Sequence, residues 1–219
     1  KRYFWIATII FSFVNLWFTS SLSGVVGLAA AFLYLAFSIG KKAFNKWAII
    51  GVSIFLVFGA LNFGFIKDRV FDAINVSTDP ESYNVSDSGL IRMGLWQGSL
   101  SLAASSPKNF LVGTGPETFP YEFPFHRPDF LNYSSEWDFI LNKPHNYYLE
   151  ILAESGIFAL IFYLLIIVKT IFGKKEGMEK FLTAGLVGLF ATNIFGWPTV
   201  YTSLLFWMWL SLLRKTPSQ

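Results

Sequence analysis

Several stretches of this chain run for fifteen residues or more with almost no charge, and that pattern limits its possible folds more than any other feature. A helix needs about 20 predominantly apolar residues to cross a bilayer, so the sequence is read first for membrane spans. The composition agrees: 53% of the residues are hydrophobic and only 14% charged, against about 25% charged in an ordinary soluble domain. The expected fold is an all-α polytopic membrane protein of about six transmembrane helices with one long, partly helical extracytoplasmic segment.

The six segments are Tyr3–Phe18, Val25–Ile39, Trp47–Phe65, Tyr147–Phe172, Phe181–Phe195 and Thr199–Leu213. A re-entrant arrangement of the first pair is the alternative to two full crossings. Basic residues gather at Lys1-Arg2, at Lys41, Lys42 and Lys46, at Lys169, Lys174, Lys175 and Lys180, and at Arg214-Lys215. Cytoplasmic loops are enriched in Lys and Arg, and a chain that starts inside and crosses six times returns to that side at each of these clusters. The same parity puts the Thr19 to Gly24 turn, the stretch Ile66 to Lys143 and the short Gly196-Trp197-Pro198 connection outside. This divides the chain into three spans at 1–65, an extracytoplasmic segment at 66–146, and three more spans with a cytoplasmic tail at 147–219.

The chain opens on Lys1 without an initiator Met, as a piece of a longer protein would, and its first apolar stretch lacks the cleavage site of a signal peptide. The absence of cysteine rules out disulfides, thiolate metal ligands and a cysteine nucleophile. The cations lie at the ends of apolar runs and form no stripe among exposed aromatics, which argues against nucleic acid as a partner.

The outer segment carries the residues suited to chemistry. Leu90 to Ala104 reads as a helix capped by Asp87 or Ser88, with Pro107 beyond its end. Arg92, Trp96 and Ser99 share one of its faces, while Ile91, Leu95 and Leu102 form a neighbouring apolar face that could rest on the bilayer or on the bundle. Gly113-Thr114-Gly115-Pro116 reads as a tight turn, since the further glycine and helix start of a dinucleotide site are missing. His145 then stands where Asn142-Lys143-Pro144-His145-Asn146-Tyr147 enters an apolar helix. An ionisable group at the mouth of a span is a candidate site residue, whereas the plainer role is a structural hydrogen bond that caps or orients the helix. Glu150 and Glu154 fall in the outer part of the same helix and need a cavity or a partner there. An ion pair of Glu154 with Arg92 or Lys143 is expected.

The order Arg92-x-x-x-Trp96, Pro107, Gly113-x-Gly115-Pro116-x-x-Phe119 and His145-Asn146-Tyr147-Tyr148-Leu149-Glu150 with Glu154-x-Gly156 resembles the O-antigen ligase and polymerase family. That resemblance implies a bacterial inner-membrane, multi-pass enzyme. Such an enzyme moves a glycan from an undecaprenyl diphosphate carrier to a hydroxyl of a glycan, lipid A core or protein acceptor, with no cofactor and no metal. It also implies that His145 and Arg92 are catalytic, and Asn146, Glu150 and Glu154 are expected to support them. The family's second arginine is expected in a Thr-x-Ser-Arg-Ser-Gly type turn, but Thr19-Ser20-Ser21-Leu22-Ser23-Gly24 has Leu22 there. Arg127 first and Lys143 second are the substitute cations for the diphosphate.

The implied chemistry suits these residue types. A guanidinium can meet two phosphate oxygens of a leaving diphosphate, and a histidine of pKa about 6.5 can take the acceptor's proton. Attack opposite the diphosphate would invert the anomeric configuration. A transporter or flippase for a polar or lipid-linked solute is the alternative, although no internal repeat relates the first three spans to the last three. A noncatalytic family member, which Leu22 favours, is the third reading.

Overall fold

The computed structural model describes residues 2–19, 21–39 and 88–214, with isolated positions between 53 and 67. All the elements among these residues are helical. They are α1 (Arg2–Thr19), α2 (Leu22–Ser38), α3 (Ser88–Ala104), α4 (Pro107–Val112), α5 (Phe119–Glu122), two 3₁₀ turns (Phe123–His126 and Asp129–Tyr133), α6 (Tyr147–Phe172), α7 (Met178–Thr192) and α8 (Val200–Arg214). The residues of five of the six expected spans fall in α1, α2, α6, α7 and α8; the remaining one, Trp47–Phe65, lies outside the described residues except for isolated positions. Among the described residues, α6 counted end to end is the one helix of sufficient length and apolarity for a crossing, and Ser23–Ser38 and Val200–Leu213 are shorter apolar helices.

The chain forms two compact units. The first contains residues 1–63, 175–192 and 206–219. Its first two helices meet at a short turn where the Ser21 hydroxyl accepts the N–H of Gly24 and so caps α2. Gly27 of α2 and Gly188 of α7 face one another so closely that a Cβ on either would lie 2.9 Å from the other's carbonyl oxygen. Small residues let helix backbones approach in this way within a membrane bundle. Phe206 of α8 packs edge-on against Phe190 of α7, with ring centroids 6.0 Å apart.

The second unit contains residues 64–174 and 193–205. Its core is built on the apolar face read from the sequence: Ile91, Leu95 and Leu102 of α3 are buried with Phe119, Phe123, Leu131 and Ala153. The face therefore rests on protein. Phe119 and Phe123 stack with centroids 4.9 Å apart. Gly94 and Gly98 give Leu131 and Phe123 room to reach the helix surface, since a Cβ at either position would collide with those side chains.

The long apolar helix of this unit is not straight. Gly156 takes φ 79 and ψ 179 inside α6, a conformation open essentially to glycine alone. On a straight helix the Cα atoms of Tyr147 and Tyr163 would lie about 24 Å apart, yet their rings meet edge to face at 5.4 Å. Two tyrosine side chains can close that gap only if the arms meet at roughly a right angle or less. The arm bearing Glu150 and Glu154 thus leaves the axis of the arm that follows Gly156. This corrects the expectation that both carboxylates lie in one continuous crossing helix.

Candidate active site

The His145 turn is fixed from both sides. Pro144 before it is fully buried, and the Asn146 side chain after it accepts the N–H groups of Tyr148 and Leu149 at 3.0 and 3.2 Å. Asn146 is therefore the cap of α6, and His145 is free of that task. His145 itself takes φ 53, in the left-handed region, which a non-glycine residue occupies only where its surroundings hold it there. Its ring meets Trp197 edge to face at 4.8 Å.

Arg92, from α3, stands close enough for its charge to act on that imidazole. Burial first, and then the Arg92 guanidinium, hold the His145 pKa below the ordinary histidine value. Both effects disfavour a second positive charge, so the imidazole is neutral and able to accept a proton at neutral pH. Trp96 lies one turn along α3 from Arg92 and touches Phe195, with centroids 6.5 Å apart. Phe195 and Trp197 belong to the connection between α7 and α8. That connection is tied to α6 by the Tyr147 N–H, which donates to the Asn193 carbonyl at 2.9 Å, and by the Asn193 amide, which donates to the Tyr163 hydroxyl at 3.2 Å. From sequence it read only as a short outer link; the aromatic pair around Gly196 was the available signal.

Lys143, just before Pro144, bonds Glu150 at 2.7 Å and Glu117 at 3.0 Å. The Lys143–Glu150 pair is largely enclosed, whereas Glu117 is exposed. Burial works to lower the Lys143 pKa, but the hydrogen bonds to Glu150 and Glu117 outweigh it and hold the ammonium above the ordinary lysine value. The other oxygen of Glu150, Oε2, is buried without a hydrogen-bond partner.

Glu154 does something the sequence did not suggest. Its Oε2 accepts the N–H of Glu117 at 3.0 Å and its Oε1 that of Phe119 at 3.1 Å. In return, the N–H groups of Thr114 and Gly115 bond the carbonyls of Ala153 and Glu154 at 3.0 and 2.9 Å. The last carbonyls of a helix arm need such partners, so the Gly-Thr-Gly-Pro turn and the first arm of α6 cap each other. The expected ion pair of Glu154 with Arg92 or Lys143 is thereby replaced by a clamp on backbone N–H groups, and Lys143 feels the carboxylate only as a more distant charge.

Arg127 is engaged with its own loop: Nη2 donates to the carbonyls of Leu131 at 3.0 Å and Glu136 at 3.3 Å. The geometry thus brings Arg92, His145, Trp197 and Lys143 to the head of α6 and gives Arg127 to the 128–136 loop. Among the described residues no cluster of three or more His, Asp or Glu is arranged to hold a metal ion.

A family model described as O-antigen ligase matches residues 7–164, more than two thirds of the chain. No curated protein and no solved structure matches it significantly.

Proposed function

Since the chain belongs to the O-antigen ligase family, whose activity is glycosyl transfer of the ligase or polymerase type, we propose that it transfers a glycan from undecaprenyl diphosphate to an acceptor hydroxyl. The reaction runs at the outer face of the bacterial inner membrane, with inversion at the anomeric carbon and no metal ion. The observation that carries this reading is the nearness of the Arg92 charge to the half-buried imidazole of His145.

In the proposed reaction His145 accepts the proton of the acceptor hydroxyl as its oxygen attacks the anomeric carbon. The bond from that carbon to the diphosphate breaks, and the electron pair leaves with the carrier lipid. Arg92 meets the growing charge on the diphosphate with a planar fork that can bond two oxygens. Charge stabilisation of this kind is worth on the order of 3 kcal/mol per donor in a dry site.

Where Leu22 replaces the family's second arginine, the reading assigns the missing charge to Lys143 ahead of Arg127. Arg127 is held by two loop carbonyls. Lys143 shares its charge with Glu117, an exposed carboxylate that a diphosphate can displace at little cost, because exposed ion pairs contribute only about 0 to 1 kcal/mol.

The test is transfer by protein reconstituted with undecaprenyl-diphosphate-linked glycan and acceptor. His145→Asn and His145→Gln should bind donor normally while turnover falls about 10²-fold or more. Arg92→Lys, which keeps the charge without the fork, should weaken donor binding and turnover together. Near-native turnover in His145→Asn would remove the general-base assignment.

A further inference from the structure

An acceptor whose hydroxyl reaches the His145 imidazole must place the rest of its body beside that ring. A hydrogen bond of about 2.8 Å and the radius of a six-membered sugar put the sugar's centre about 5 Å from the imidazole. Trp197 stands beside the same imidazole, with its ring centroid 4.8 Å from that of His145. It is 39% exposed, so part of its indole is open while another part meets the histidine.

The platform is also fixed in place. Tyr147 and Tyr163 both bond Asn193, and Phe195 packs against Trp96, so the backbone leading into Trp197 is held at three points. A rigid aromatic side chain beside a few placed polar groups is the usual make-up of a small-molecule site, and Trp gives large contact area at low entropic cost.

The geometry points to Trp197 as the platform on which the acceptor sugar stacks, so that the acceptor of this enzyme is a pyranose hydroxyl of a glycan and not a serine or threonine of a protein. This rests on the transferase reading and narrows it. A pyranose presents a flat apolar C–H face to an indole while its hydroxyl points to His145. A peptide hydroxyl sits on a short stem and brings no such face.

The test uses the full chain in lipid nanodiscs, with tryptophan replaced by 5-fluorotryptophan. The resonance that disappears in Trp197→Phe identifies position 197. It should shift on adding core oligosaccharide released from lipopolysaccharide or a free hexopyranose repeat-unit oligosaccharide. It should not shift with a serine- and threonine-rich peptide or with undecaprenyl diphosphate alone.

In transfer assays Trp197→Ala should raise the acceptor KM by about five- to tenfold, the worth of one good aromatic contact, with the donor KM within about twofold. Trp197→Phe should stay within about threefold. An unchanged acceptor KM in Trp197→Ala, or a resonance that answers the peptide or the carrier lipid and not the oligosaccharides, overturns the assignment. Oligosaccharide binding at Trp197 in a protein that transfers nothing would uphold the sugar site and overturn the transferase reading instead.

Discussion

The backbone carbonyl of Leu111 fills the place where a side chain on Gly156 would begin: a Cβ there would lie 2.3 Å from its oxygen. The contact is reciprocal, because a Cβ on Gly113 would lie 2.2 Å from the carbonyl carbon of Glu154. Both glycines have positive φ, 73 and 79. Gly156→Ala and Gly113→Ala should each destabilise the protein by about 2 kcal/mol or more, from backbone strain plus collision. Gly24→Ala is the control, since only the flexible end of Leu16 is in its way. Thermal unfolding in detergent reads the difference, and equal effects at all three sites would sink the interlock.

Glu154 supplies the polar half of the same contact. It is 6% exposed, and removing its carboxylate leaves two backbone N–H groups without acceptors. Each such group costs about 1 to 3 kcal/mol when buried. Glu154→Ala should therefore lose amide-exchange protection in the peptide covering 113–123, whereas Arg92→Gln should leave that protection unchanged. Equal loss in both variants would restore an ion pair as the role of Glu154.

Lys143 gives a contrast between an enclosed and an exposed partner. Lys143 and Glu150 retain only 14% and 10% of their side-chain exposure, while Glu117 retains 78%. Glu117→Gln should change stability by less than about 1 kcal/mol. Lys143→Met should cost more, on the order of 3 kcal/mol, by stranding Glu150. Because the Lys143 pKa is raised, its contribution is complete below the ordinary lysine value and is lost as pH climbs through the folded value. Unfolding between pH 6 and 11 should show the wild type converging on Lys143→Met only at the alkaline end.

Much of this was legible in the sequence because it follows from period and punctuation. The apolar face of α3 announced the core through Ile91, Leu95 and Leu102, and five helices stood out as runs of few charges. The match to a family could be read from short motifs in order. The bend in α6 could not, since a glycine within an apolar run is compatible with a straight helix and only the backbone of Leu111 shows why it turns. Glu154 misled for a related reason: charge suggests a charged partner, but the partners are backbone N–H groups brought near by the chain's path. Trp197 and His145 are far apart in sequence, and no periodicity connects them.

The outer segment should face away from the cytoplasm, because the basic clusters at Lys41, Lys42 and Lys46 and at Lys169, Lys174, Lys175 and Lys180 are expected on the cytoplasmic side. Asn132 is exposed on the outer segment, and Lys174 is exposed in the connection before α7. Asn132→Cys should react with a membrane-impermeant maleimide added to cells with a permeable outer membrane, and Lys174→Cys should react only after lysis. The opposite pattern would invert the orientation.

The proton acceptor offers the sharpest test. The chain has two histidines, and His126, whose Nδ1 lies 3.2 Å from the Ser101 hydroxyl, stands outside the proposed chemistry. His126→Gln therefore leaves a single imidazole whose titration can be followed by NMR with labelled histidine. Burial and the Arg92 charge hold the His145 pKa down, so its midpoint should fall below the ordinary value of about 6.5. The unfolded chain binds this proton more readily than the folded one. The neutral ring's contribution to stability is then complete above pH of about 6.5 and is lost as pH falls through the folded midpoint. Turnover should decline over the same acid range, since the protonated ring cannot accept the acceptor's proton. Arg92→Gln removes the second cause and leaves burial, so the midpoint should rise toward the ordinary value. Arg92→Lys keeps a cation and should hold it near the wild-type position while still impairing donor binding. A midpoint that does not move in Arg92→Gln would mean that the guanidinium and the imidazole do not share a site, and the division of labour between them would have to be abandoned.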